Sequence, residues 1–209
     1  MTRRSTLLRR PRLTDLLEVV LDRRLSLLVA PPGFGKSVLL EQWQTALDGR
    51  ATTALVRLEF AHNNAELFRF ALAEAVRPAL PALDWAAGEA ISPHDLPAFG
   101  AAVAARPRAD LPFVVMFDDL HTVFDPSVLS VLEAALDFLP DDMHVVFASR
   151  TPPPLLVAQL RARGSYSSSA PTTSRSRRSK SRSSRVVSTR RRRPHPFTST
   201  RTDGRRASH

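Results

Sequence analysis

The sequence predicts an α/β fold: a parallel sheet of about four strands flanked by helices. Three observations predict it. Short apolar runs, Leu25–Ala30, Thr52–Leu58, Leu111–Phe117 and His144–Ala148, are separated by segments with helical spacing, the pattern of a βαβ series. The run Leu111–Phe117 (LPFVVMF) has no polar alternation, which suits a strand buried on both faces. The stretch Leu25–Trp43, LSLLVAPPGFGKSVLLEQW, reads strand, glycine loop, Lys-Ser, helix. That order is the build of a phosphate-binding loop.

Each element has its own signals. In the basic lead-in of residues 1–24, Pro11 and Thr14 offer a helix start, and Leu13, Leu16, Leu17, Val20 and Leu21 recur at helical spacing. The helix after the glycine loop is expected to run to about Asp48, with Gly49 as its stop. Thr52–Leu58 (TTALVRL) is rich in β-formers and ends at Glu59, on the edge where ligands collect in open α/β sheets. Glu66–Val76 predicts a helix broken by Pro78 and Pro81. A proline-spotted connection over 79–97 leads to a short alanine-rich helix at 98–105. Pro126–Leu139 predicts another helix, with Val128, Leu129, Val131, Leu132, Ala135, Leu136 and Leu139 apolar.

The glycine loop carries the chemistry. Gly33 and Gly35 permit backbone angles that turn successive N–H groups, those of Pro32-Gly33-Phe34-Gly35-Lys36-Ser37-Val38 wherever one exists, around an anion. The following helix adds the positive end of its dipole. Lys36 brings a full charge to the β/γ-phosphates of a nucleotide, and Ser37 brings a hydroxyl to Mg²⁺. The first glycine of the usual GxxxxGK[ST] pattern is replaced by Ala30, which the strand end tolerates. Asp118 and Asp119 follow the third apolar run; Asp118 is assigned to the metal and Asp119 to the attacking water. Arg150, directly after the fourth run, can reach a γ-phosphate from the same sheet edge. Glu59 is a weaker candidate, because strand-end carboxylates are common. His62, His94, His121 and His144 have no metal-ligand spacing and are read as surface or turn residues.

Composition bounds the setting. The chain of 209 residues has no cysteine, which removes disulfides and thiolate metal sites. No run approaches the ~20 apolar residues of a membrane span, and no signal-peptide core follows the N-terminal arginines, so no membrane partner and a cytoplasmic location are expected. The net charge of +10 is uneven: residues 165–209 hold 13 of the 30 Lys and Arg and only Asp203 of the 20 acids. Residues 1–164 therefore carry 17 basic and 19 acidic groups.

The combination RPRLTDLL, APPGFGKSVLLEQW, RLEFAHNNAELFRFALAEAV, FVVMFDDLHTV and LPDDMHVVFASRTPPPLLVAQLRARG resembles the nucleotide-binding domain of ATP-dependent LuxR-type regulators, the MalT-like branch of the STAND signalling ATPases. The resemblance covers about residues 9–164. It implies a P-loop NTPase of the AAA/STAND type that switches between ADP-bound monomer and ATP-bound oligomer, with slow hydrolysis. It implies that Lys36 and Ser37 bind phosphate and Mg²⁺, that Asp118 and Asp119 act as assigned, and that Arg150 is the sensor arginine. Arg12, with Arg10 and Pro11, matches the stretch near the adenine. Full-length members also respond to an inducer and bind DNA through domains beyond the resembling region.

After Gly164 the composition changes to Ser, Thr, Arg and Pro, with Val186 and Val187 the only aliphatic side chains beyond alanine. Residues 165–209 are therefore expected to be a disordered basic tail. An RNA-binding arm, a linker and out-of-frame translation compete as readings. The last is favoured: Gly164 to Arg177 can be encoded so that a frame displaced by two bases reads Glu-Leu-Leu-Glu-Leu-Arg-Ala-Asp-Asp-Leu-Ala-Phe-Thr, a plausible fifth strand. On that reading strand five is lost and the strand before the glycine loop becomes a sheet edge. Marginal stability and weak nucleotide affinity would follow. Two other functions stay open: a P-loop enzyme such as a small-molecule kinase, and nucleic-acid binding through the tail.

Overall fold

The computed structural model describes residues 17, 18, 20–85 and 89–153, and the backbone of 167–169 and 185–190. Six strands form one sheet: β1 (Arg23–Val29), β2 (Thr52–Arg57), β3 (Phe113–Asp118), β4 (Met143–Ser149), β5 (Ser167–Ser169) and β6 (Arg185–Arg190). Their order is β2-β3-β4-β1-β6-β5. The first four are parallel, with Leu27 opposite Phe147 and Phe117 opposite Phe147 from the other side. Four helices of eight or more residues connect them among the described residues: α1 (Lys36–Ala46), α2 (Ala65–Val76), α3 (Leu96–Ala104) and α4 (Pro126–Phe138).

The two-faced burial of the parallel strands explains their unbroken apolar runs. Every residue of β3 and β4 is buried. Phe113, Val115 and Phe117 join Leu25, Leu27, Val145 and Phe147 on one face, under Phe68 and Leu72 of α2, Val103 of α3 and Val131 and Leu132 of α4. Val114, Met116, Leu28, Val146 and Ala148 occupy the other face with Leu39, Leu40 and Trp43 of α1 and Leu17 and Val20 of the lead-in. Each fully buried aliphatic or aromatic side chain contributes about 1.5–3 kcal/mol, so this double layer fixes the strand ends firmly.

Helix starts follow their caps. Asn64 accepts from the N–H groups of Glu66 (2.9 Å) and Leu67 (3.0 Å), which begins α2 at Ala65. Asp125 caps α4 in the same way, with Pro126 at the first turn. The chain leaves α1 through Leu47, and Gly49 takes φ 72°, as its role as a stop requires. The proline-spotted connection is not loose. The Arg69 side chain, 7% exposed, binds Glu89 at 2.6 Å and Asp95 at 3.3 Å and lies 5.3 Å from the Trp85 ring centroid.

Two expectations change. His144 is a buried strand residue, not a surface one: it is 1% exposed, and its Nδ1 lies 2.7 Å from the Arg23 carbonyl oxygen. Its place in the fully buried β4 puts it in the sheet interior. The strand before the glycine loop is not a free edge either. No fifth parallel strand pairs with β1 among the described residues, but β6 lies antiparallel along it, with Leu27 opposite Val187 and Leu28 opposite Val186. An open edge presents unpaired N–H and C=O groups to any extended segment, and β6 carries three β-branched residues, Val186, Val187 and Thr189. The open-edge reason for marginal stability and weak nucleotide binding is thereby removed. The rest of residues 165–209 lies outside the described residues.

Candidate nucleotide site

The site is built from three adjacent strand ends. β4 lies between β3 and β1, so the carboxyl ends of these strands bring Asp118, Ser149 and Val29 side by side. The Ala30 N–H donates to the Ser149 carbonyl at 3.2 Å and extends the β1–β4 ladder to the first residue of the glycine loop. Arg150, exposed, follows at once.

The loop then reverses. Gly33 and Gly35 take φ of 75° and 78°. A Cβ added at either would meet nothing within 4 Å. Glycine is thus required there by backbone conformation and not by crowding. Gly35 stands at the N-cap of α1 in the left-handed region, so Lys36 opens the helix and Ser37 and Val38 lie in its first turn with Pro32, Gly33 and Phe34 just before. The N–H groups of Gly33, Phe34, Gly35, Lys36, Ser37 and Val38 precede the first intrahelical bond, which Leu39 donates to the Gly35 carbonyl at 2.9 Å. The Lys36 side chain folds back over the loop and donates to the Ala30 carbonyl at 2.9 Å, with the residue 8% exposed. An ammonium held this way at the floor of a loop ringed by backbone donors fits a phosphate group.

Asp118 ends β3 at 3% exposure, and its Oδ1 accepts the Asp119 N–H at 2.9 Å. Asp119 takes the left-handed conformation, φ 56° and ψ 38°, the only non-glycine residue to do so among the described residues. Its carboxylate, 38% exposed, lies 3.6 Å from His121 Nδ1. Burial first, and the Arg150 guanidinium second, hold the His121 pKa below its usual 6.5; Asp119 and Asp118 oppose and Lys36 reinforces the shift. One imidazole therefore feels the loop lysine, both carboxylates and the strand-end arginine.

Four residues chosen from the sequence, Lys36, Asp118, Asp119 and Arg150, thus share one site. Glu59 does not join them. It caps the 3₁₀ turn Phe60–Asn63, and its N–H donates to His62 Nδ1 at 2.8 Å. Arg12, Arg10 and Pro11 lie outside the described residues. His121 was missed because its three-residue offset from Asp118 matches no ligand spacing. A buried Nδ1 without a hydrogen-bond partner among the described residues, rather than any sequence signal, reveals it. No helix among the described residues is long and apolar enough to cross a membrane.

The sequence pattern of the AAA ATPase domain matches residues 4–148. The chain is 35% identical over 144 residues to the serine/threonine-protein kinase PknK of Mycobacterium tuberculosis, covering 66% of this chain and 12% of that protein. It is 30% identical over 159 residues to the HTH-type transcriptional regulator MalT of Yersinia enterocolitica, covering 74% of this chain and 17% of that protein. The chain therefore spans only 12–17% of the length of these relatives. Among solved structures, Cdc6p from Pyrobaculum aerophilum matches at 16% identity and a TM-score of 0.47, over 72% of this chain and 42% of that one. By the match over residues 4–148, more than half of its length, the chain belongs to the AAA ATPase domain family, with a MalT-like nucleotide-binding domain.

Proposed function

We propose that the chain is an ATP-binding switch module with slow hydrolysis, of the kind that serves a MalT-like transcription regulator. The supporting observation is that the adjacent carboxyl ends of β1, β4 and β3 bring the loop bearing Lys36, Arg150, and Asp118 with Asp119 to one sheet edge. On this reading the loop N–H groups and Lys36 bind the phosphates of ATP or ADP. Ser37 and Asp118 hold Mg²⁺, which would neutralise phosphate charge when bound. Asp119 orients the attacking water and accepts its proton. Arg150 stabilises negative charge that grows on the transferred group and reports whether a γ-phosphate is present. His121, kept neutral by burial and Arg150, sits beside the Asp119 carboxylate without competing for its negative charge.

Two relatives with different outputs, a protein kinase and a transcription regulator, share the matching region. This supports a switch whose output is set elsewhere. Inducer, self-oligomer and DNA are accordingly proposed as partners of the regulator type and not of these residues alone. The deciding experiment is calorimetric titration of ATP and ADP, with Mg²⁺, into the full chain and Lys36→Ala. Loss of one phosphate-directed cation should weaken ATP at least about tenfold, since charge-assisted hydrogen bonds are worth about 1.5–3 kcal/mol. Equal affinity in the two proteins would refute the reading.

A further inference from the structure

Asp119 occupies the left-handed backbone region, which residues with a Cβ adopt at a cost and Asn and Asp adopt most readily. Such conformations persist only where the surroundings over-determine them. The surroundings here lead to one side chain 56 positions away in the sequence. The Asp119 carbonyl accepts from both the Thr122 N–H and the Thr122 hydroxyl, each at 2.9 Å. The Thr122 carbonyl in turn accepts from Asn63 Nδ2 at 2.9 Å. The same amide donates to the Phe60 carbonyl at 2.9 Å. Its Oδ1 accepts from the Phe124 N–H at 2.8 Å and the Asp125 N–H at 2.9 Å.

All four hydrogen-bonding positions of the Asn63 amide are therefore filled, and three of them hold the segment between Asp119 and the cap of α4. No other side chain of this length does this. Aspartate keeps the acceptor but loses both donors, and alanine loses everything. The clasp ties the loop after β2 to the loop after β3, while the Asn63 amide bonds to none of the charged site residues.

We propose that Asn63 is a positioning residue for Asp119: it locks the 119–125 turn so that the carboxylate is held ready for the attacking water. The proposal rests on the ATPase reading above. It is tested in the full chain with Mg²⁺-ATP, using Asn63→Ala, Asn63→Asp and the neighbouring Asn64→Ala. Asn64 is a suitable control because it lies in the same turn but caps α2. Single-turnover hydrolysis should slow about ten- to a hundredfold in both Asn63 variants, the size expected for a misplaced catalytic group. Their ATP Kd should stay within about twofold of wild type, because the clasp leaves the glycine loop alone. Asn64→Ala should lower Tm yet hydrolyse at the wild-type rate. Amide exchange adds a readout besides activity: the Phe124 and Asp125 N–H groups should exchange faster in Asn63→Ala alone.

Wild-type hydrolysis by Asn63→Ala would overturn the proposal. So would a Kd that weakens in step with the rate, or an equal loss in Asn64→Ala, since either would mean a loosened fold. If binding depends on Lys36 while hydrolysis is indifferent to Asn63, the positioning role alone falls. If wild type and Lys36→Ala bind ATP alike, the nucleotide reading fails and the positioning role fails with it.

Discussion

His121 concentrates the electrostatics of the site in one titratable group. Burial and the Arg150 charge both disfavour its cation, so its folded pKa lies below 6.5. The sign for stability follows. As pH falls through 6.5 the unfolded chain takes up a proton that the folded chain refuses, so stability drops until the folded pKa is reached. Imidazole resonances followed by NMR should give His121 a midpoint below 6.5 in the nucleotide-free chain. Arg150→Ala should move that midpoint up, because the second-largest cause is then gone; an unchanged midpoint would show that Arg150 lies too far away to act. Single residues were legible where chemistry is local. Lys36 and Ser37 announce themselves by the glycines before them, and Asp118 by the apolar run it ends. His121 and Asn63 were not legible, because each acts through contacts that only the sheet creates. The Asn63 amide meets Thr122 across 59 positions, and no spacing rule spans that.

At the scale of elements, the glycine loop shows how one backbone angle sets a helix. Gly35 begins α1 from the left-handed region, with open space where a Cβ would stand. Gly35→Ala should therefore cost only the backbone term, about 1–2 kcal/mol, measurable as a lower denaturant midpoint with an unchanged m-value. A larger loss would mean crowding that the open space excludes. ATP affinity should fall further than stability, because relaxing Gly35 turns the loop N–H groups away from their common centre. The four parallel strands and the helices between them were readable within one or two residues, since period and caps are local properties. Thr52–Leu58 was expected and Thr52–Arg57 is found; Glu66–Val76 was expected and Ala65–Val76 is found. The short helix was placed at 98–105 and runs Leu96–Ala104, started by the turn Pro93–Asp95 that precedes it.

At the scale of the whole molecule, the sheet is closed by a strand that a search for βαβ units would pass over. The parallel core ends at β1, whose outer N–H and C=O groups need partners in the sheet or in water. The tail's composition gives no hydrophobic core and so reads as unstructured, yet a strand added at an edge needs only backbone groups and tolerant side chains. Arg185–Arg190 meets that need, in register from Val29 opposite Arg185 to Ser26 opposite Ser188, with a shift before Arg23 meets Arg190. Removing residues 165–209 should therefore reopen the edge. Each backbone bond contributes about 0.5–1.5 kcal/mol net, and ordering the strand offsets most of their sum, leaving roughly 1–2 kcal/mol. For a chain of this size that is a fall of about 2–8 °C in Tm. The truncated chain should also scatter light in a concentration-dependent way, because the exposed edge of one copy can pair with that of another. Ser188→Pro in the full chain is the finer probe. Ser188 lies opposite Ser26 in the middle of the β1–β6 ladder, and proline removes a donor there without shortening the tail. A fall in Tm for both variants would show that β6 closes the sheet in solution. Unchanged Tm and a monomeric truncated chain would show that β1 needs no partner on that side.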